Sequence, residues 1–258
     1  MSKVMTAQEF ADRLIVCAKD FKTLYVKGCF GAPLNDSNKK RYTTNTVYNA
    51  TPARKKKIMA ASADTFGFDC VCLIKGILWG WDGDANKTYG GANYKSNGVP
   101  DFGANAILKY CTDVSTDFDN IEVGEACWMQ GHVGVYVGNG LSVECTPKWS
   151  DDVQITACNR NVSGYNRRNW TKHGKLQWIE YAEKVNVELS VLSRGSKGEE
   201  VKTVQRLLLA LGYDLKEYGA DGSFGGVTES AVKAFQKDHN LETDGKVGEA
   251  TWNALLKG

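Results

Sequence analysis

Phe66 Gly67 Phe68 Asp69 Cys70 Val71 Cys72 Leu73 Ile74 Lys75 is the stretch on which the reading of this chain turns. After Cys70 the apolar residues Val71, Ile74, Leu78 and Trp81, with Leu73 and Ile77 beside them, recur at helical spacing, so a buried helix is expected. Gly67 and Asp69 are breaker and capping types, which sets Cys70 in the first turn. There, free amide N–H groups and the positive end of the helix dipole favour a thiolate, the form in which a thiol is nucleophilic. The plainer alternative is a small buried thiol, the usual condition of a free cysteine.

Working outward, Ala7 to Lys19 reads as an amphipathic helix with Phe10, Leu14 and Val16 to Cys17 inward. Tyr25 to Pro33 reads as an extended segment entering a glycine-rich loop, Asn35 to Asn49 as a polar loop, and Arg54 to Ser62 as a second helix. Asp82 to Asp101, rich in Gly, Asn and Asp, is expected to be a long surface loop.

Ile121 to Met129 and His132 to Cys145 read as successive strands. Val133, Val135 and Val137 fall on one face, and His132, Gly134 and Tyr136 on the other. Leu141, Val143 and Cys145 share the valine face only if the connection has an odd number of residues, which a Gly138 Asn139 Gly140 loop satisfies. That register sets Glu144 opposite Gly134 and one diagonal step from His132, within hydrogen-bonding reach. The glycine beside His132 leaves room for a close-packed helix. His173, in Thr171 to Lys175, has no patterned neighbours and is expected to face solvent.

Cys70, His132 and Glu144 therefore form a candidate nucleophile, base and orienter. The backbone N–H of Cys70 is a candidate oxyanion donor, and the reaction class is amide hydrolysis through an acyl-enzyme.

Composition narrows the choices. The 258 residues suffice for two domains, and a formal charge of +2 gives no argument for nucleic acid. The run Arg54 to Lys57 is read as a solvated helix face. The N-terminal residues lack the apolar core of a secretory signal, and no apolar run is long enough to span a bilayer; synthesis in the bacterial cytoplasm without membrane insertion is the expectation. All eight cysteines lie between Cys17 and Cys158 without a CxxC pair, so they are expected to be reduced core thiols rather than a zinc site or disulfide scaffold. No cofactor or metal is called for.

Tyr25 with Gly28, Phe68 Asp69 Cys70 with Leu73 Ile74, Val123 Gly124 Glu125, and Gly131 to Gly140 resemble, in order, the NlpC family of papain-like cell-wall cysteine peptidases. The resemblance covers most of residues 20–147. It implies an α+β papain-like domain in which the nucleophile helix packs on an antiparallel sheet. It carries the catalytic cysteine and histidine onto Cys70 and His132, and the third polar residue, often histidine, onto Glu144. Tyr25, Asp69, Trp81 and Gly131 are its candidate substrate-contacting residues. Val71 Cys72 stand where the family usually has Ser Gly, and Lys27 where it has tryptophan. The implied activity is cleavage of peptidoglycan stem peptides, most often at the γ-D-glutamyl to diamino-acid bond. The related CHAP amidases, a non-catalytic wall-binding protein, and a zinc amidase using His132, His173 and Cys158 stand beside it as alternatives.

The tail has its own signature. Val201, Val204, Leu207, Leu208 and Leu211 form a helical stripe ending at Gly212. Asp221 Gly222 Ser223 Phe224 Gly225 Gly226 Val227 Thr228 is then echoed by Asp244 Gly245 Lys246 Val247 Gly248 Glu249 Ala250 Thr251. Phe235, Gln236, Leu241 and Trp252 complete a small all-α three-helix core. This segment resembles the type 1 peptidoglycan-binding domain, with Tyr213 and the turn Asp221 to Gly226 as candidate wall contacts. The resulting plan is a catalytic domain over 1–180, a linker over 181–190 and a peptidoglycan-binding domain over 191–258. Bacterial peptidoglycan is the expected partner, and a phage or prophage endolysin the expected kind of protein.

Overall fold

The computed structural model describes residues 3–182 and 189–256. The chain divides into two compact units, Met1–Glu183 and Lys184–Gly258. Of the expected linker, residues 183–188 lie outside the described residues.

Unit 1 begins with β1 (Met5–Thr6) and α1 (Ala7–Asp20), whose first turn is capped by the Thr6 hydroxyl accepting from Glu9 N–H at 3.2 Å. Phe10, Ala11, Leu14 and Cys17 are its buried stripe, whereas Val16 is exposed, contrary to expectation, because it lies a quarter-turn off that stripe. After β2 (Thr23–Tyr25) and β3 (Phe30–Pro33), the expected polar loop is helical: α2 (Asp36–Asn45), capped by the Asn35 side chain, and α3 (Val47–Ala50). Its polarity reflects an exposed helix anchored by few buried residues, Tyr42 among them.

In α4 (Pro52–Ala60) the basic run is not a solvated face throughout, since Arg54 is buried and its Nη1 pairs with Asp151 at 2.5 Å. The next strand, β4 (Phe66–Phe68), joins β2 and β3 in a three-stranded sheet and leads directly into α5 (Cys70–Leu78). Every residue of α5 is buried. The residues from Gly80 to Gly103 contain neither helix nor strand, as expected of a long loop.

β5 (Cys111–Ser115), β6 (Ala126–Met129), β7 (His132–Gly138), β8 (Leu141–Cys145), β9 (Val153–Cys158), β10 (Arg167–Arg168) and β11 (Lys172–Leu176) form a sheet in the order β10-β9-β8-β7-β6-β11-β5. A final strand, β12 (Ile179–Glu180), pairs with β1. The valine face, with Val133, Val135 and Val143 fully buried, packs beneath α1 and α5. The other face gathers Cys127, Cys158 and Trp170.

The β7–β8 connection differs in detail from its expected form. The turn is the two-residue Asn139–Gly140, both in the left-handed region with φ of 52° and 72°. A bulge between Tyr136 and Gly138 absorbs the extra residue, so Val135 still pairs with Val143 and Glu144 keeps its face.

Unit 2 contains α6 (Glu199–Ala210), α7 (Gly226–Asp238) and α8 (Glu249–Leu255) around Val204, Leu208, Val232, Phe235 and Trp252. No described helix is long and apolar enough to cross a membrane. The cysteines of unit 1 are free thiols, all buried except the half-buried Cys111.

Candidate active site

Asp69 fixes the start of α5. One carboxylate oxygen accepts from Cys72 N–H at 2.8 Å and the other from Gly28 N–H at 2.7 Å, which ties the β2–β3 connection to the helix. With each oxygen accepting from a backbone N–H, Asp69 organises the site's frame. The Cys70 thiol lies against the backbone N–H groups of Val133, Val71 and Cys70 itself. Burial and the neighbouring Asp69 charge outweigh those donors and push the thiol up to about 12. The helix start therefore does not by itself create a resting thiolate, because desolvation is the larger effect here.

His132 opens β7, one residue before the Val133 amide that faces Cys70. Its Nε2 bonds Glu144 Oε2 at 2.6 Å. No hydrogen bond joins His132 to Cys70 among the described residues; Nδ1 is the ring nitrogen left over. The imidazole stacks on Trp170 at 5.4 Å between centroids and 10° between planes. Gly134 permits this: a Cβ there would stand 2.8 Å from both Trp170 Cζ2 and Val143 O. The space left by the glycine is thus filled by an indole rather than by a helix.

Glu144 is fully buried. Thr156 Oγ1 donates to its Oε1 at 2.8 Å, and Arg168 grips both oxygens, with Nε at 3.0 Å from each and Nη2 at 2.6 Å from Oε2. Burial alone would raise this carboxyl, but His132 and Arg168 together bring it below the usual glutamate value. Arg168, Thr156 and Trp170 were not among the sequence candidates. Alternation in Val153 to Cys158 was a readable signal for Thr156; nothing in the local pattern marks Arg168, which sits 24 residues beyond its partner.

The remaining candidates separate. Tyr25 is half-buried, and burial together with Asp69 and Cys70 pushes its hydroxyl above the ordinary range. Gly131 is exposed at the turn before β7, with its N–H bonded to Asn105 Oδ1 at 2.7 Å. Trp81 is a core residue: it is 4% exposed, its Nε1 bonds Gly31 O, and Phe21, Phe66 and Phe68 pack around it. A groove of about 420 Å³ runs beside the start of α5, lined by Gly28, Phe30, Asp69, Val71, Tyr94 and Phe102.

His173 is also placed differently from expectation. It lies within β11, buried, with Nδ1 bonded to Glu125 Oε2 and Nε2 against Asp117 O at 2.9 Å. His132 and His173 are therefore held by different glutamates. Among the described residues no group of three or more His, Cys, Asp or Glu side chains is arranged to hold a metal.

In unit 2 the sequence echo becomes a structural one. Gln205 Nε2 donates to Asp221 Oδ1, Ser223 O and Thr228 Oγ1, while its Oε1 accepts from Gly222 N–H. Gln236 repeats the set with Asp244, Lys246 O, Thr251 and Gly245 N–H. The turns are thus pinned from inside by buried glutamines, of which Gln205 had not been singled out. A groove of about 650 Å³ adjoins the first turn, lined by Asp214, Lys216, Tyr218, Asp221 and Ser223. Tyr213 packs on Phe235 and bonds Asp238.

Residues 197–255 match the family model described as "Putative peptidoglycan binding domain". The chain is 46% identical over 66 residues to the N-acetylmuramoyl-L-alanine amidase CwlL of Bacillus licheniformis, covering 26% of this chain and 18% of that protein. It is 38% identical over 66 residues to the zinc D-Ala-D-Ala carboxypeptidase of Streptomyces albus G, covering 26% of each. A solved structure of the Burkholderia AP3 phage endolysin aligns with 39% identity, a TM-score of 0.24, and coverage of 26% of this chain and 24% of that one. The chain spans well under a third of each, and the matches cover only the peptidoglycan-binding part. The family model and the two sequence relatives relate the tail to cell-wall proteins.

Proposed function

We propose that the protein is a peptidoglycan hydrolase in which unit 1, with a papain-like arrangement of the NlpC kind, cleaves an amide of the stem peptide through a thioester on Cys70. The observation that carries this reading is the His132–Glu144 bond through Nε2, made one residue away from the amide that faces the Cys70 thiol.

With Nε2 held by Glu144, Nδ1 is the nitrogen available to the thiol. The resting thiol is neutral, so its proton passes to His132 as the sulfur–carbon bond forms. The tetrahedral oxyanion is received by the first-turn backbone N–H of Cys70. Collapse breaks the C–N bond, and His132 returns the proton to the departing amine. A water molecule then gives its proton to His132 and attacks the thioester, releasing the carboxylic acid, and the thiol regains its proton.

The tail's match to a peptidoglycan-binding family supports the wall as substrate. Holding the head on the polymer raises the local concentration of cleavable bonds. On this reading the target is the γ-D-glutamyl to diamino-acid bond that the NlpC resemblance implies, and action at the bacterial wall in the manner of an endolysin goes with it.

The test is mass spectrometry of muropeptides released from purified walls by the wild type and by Cys70→Ala. New diamino-acid N-termini from the wild type alone support the endopeptidase. New L-alanine N-termini assign an amidase of CHAP type instead, and equal release by both proteins overturns the cysteine mechanism.

A further inference from the structure

We propose that Arg168 is a positioning residue which, by cancelling the charge of Glu144, keeps His132 unprotonated and available as a base at lower pH than an unpaired glutamate would allow. This rests on the reading of His132 as the proton carrier.

A buried carboxylate beside an imidazole would ordinarily draw a proton onto the ring, because imidazolium and carboxylate attract strongly where water is absent. Glu144 is fully buried and 2.6 Å from Nε2, so this pull would be near its maximum. Arg168 offsets it with a fixed positive charge held by two-pronged contacts of 2.6 to 3.0 Å. Glu144 then still accepts the hydrogen bond that orients the ring, while the ion pair it forms with Arg168 presents no net charge to it.

The guanidinium is kept in place from several sides. Its carbon lies 4.7 Å from the Trp149 ring centroid and 5.8 Å from that of Trp170, and its Nη2 reaches Thr146 Oγ1 at 3.4 Å. Trp149 is itself unusual, with φ of 60°, in the connection whose Asp151 is bound by Arg54 and Lys57. Two indoles over one guanidinium limit its escape into water.

Other titratable groups lie on the elements around His132. Cys70 on α5 and Cys127 on β6 have thiols pushed well above neutrality, and Cys158 on β9 lies with Cys127. Asp69 has its carboxylate turned to the amides of Cys72 and Gly28. Lys148 lies over the Trp149 ring at 4.7 Å.

The test is an NMR titration of the His132 ring in the full chain carrying Cys70→Ala, with charge changes at the two partners. Arg168→Gln should move the His132 midpoint up by at least about one pH unit, Glu144→Gln should move it down, and the double variant should return close to the starting value. If Arg168→Gln does not fold, Glu144→Gln and the double variant supply the same comparison. An unchanged or lowered midpoint in Arg168→Gln, or no difference between Glu144→Gln and the double variant, overturns the proposal. In the active protein, the acid limb of kcat/KM should follow the Arg168→Gln shift. Because the ring titration needs no turnover, wall hydrolysis that survives His132→Ala would sink the catalytic reading while leaving the electrostatic result intact.

Discussion

Two histidine–glutamate pairs are built on the same sheet, and their ring nitrogens are bonded differently. His132 gives Nε2 to Glu144 and keeps Nδ1, on the strand that packs against the helix of Cys70. His173 spends both nitrogens, one on Glu125 and one on the Asp117 carbonyl. The glutamates differ as well. His132 and Arg168 together bring the Glu144 carboxyl below its usual value, whereas burial leaves the Glu125 carboxyl above it despite His173. The proposed proton carrier and the tie-bar thus differ in whether a ring nitrogen is left over and in whether an arginine accompanies the carboxylate.

The comparison breaks most sharply on activity. Cys70→Ala or His132→Ala should reduce release of soluble muropeptides by on the order of 10⁴-fold or more, with melting temperature nearly unchanged. His173→Ala should do the reverse, retaining turnover in whatever fraction is folded. An activity loss in His173→Ala as deep as that in His132→Ala, at temperatures where both are folded, would erase the distinction.

Next in size is the stability of the sealed pair. Removing His173 leaves Glu125 buried without its partner and should cost about 3–5 kcal/mol in urea unfolding, judged from other broken buried pairs. A loss under about 1 kcal/mol would mean that water or a rearranged neighbour replaces the ring.

A smaller effect is expected at Gly134. The added methyl of Gly134→Ala would meet Trp170 and the Val143 carbonyl at 2.8 Å, and a backbone oxygen cannot swing aside. Displacing the indole from the His132 ring should lower kcat by about tenfold and stability by about 1–3 kcal/mol, as overpacking generally does. The Phe118 ring, edge-on to His173 at 4.9 Å, makes a control: Phe118→Leu should leave kcat unaltered.

How these features show in sequence follows from their range. The start of α5 was legible because capping and apolar spacing are local, and so was the shared face of His132 and Glu144, because strand alternation carries it across one turn. The turn itself was misjudged: a bulge restores register as well as a longer loop does, and composition does not separate the two. His173 was expected to face solvent because Lys172, Gly174 and Lys175 give it no apolar alternation, and the strand that holds it is bulged between His173 and Lys175. Trp81 looked available because a tryptophan near a cysteine has no address until the aromatic cluster around it is assembled. Arg168 lies on a two-residue edge strand, and only the β9–β10 pairing brings it to Glu144. The sequence also supported a thiolate at the helix start, since dipole and amides can be inferred from a motif, whereas desolvation depends on what covers it.

The finest test sets the two glutamates against each other in pH. Glu144 is held below its ordinary value of 4.5, so its ionisation stabilises the fold above that value, and the contribution is lost as pH falls through the lower folded value. Glu125 is raised above 4.5, so its contribution is complete below that value and fades as pH rises through the higher folded one. Acidifying from neutrality therefore favours one site and weakens the other, and the wild-type stability profile blends opposing slopes. Glu144→Gln should remove the acid-side loss, leaving a profile that rises toward low pH relative to wild type. Glu125→Gln should remove the neutral-side loss and tilt the profile the other way. The two tilts have opposite signs and are readable from urea midpoints at constant slope. Parallel tilts in the two variants would mean that Arg168 does not separate these sites electrostatically, and that their difference lies in the spare ring nitrogen alone.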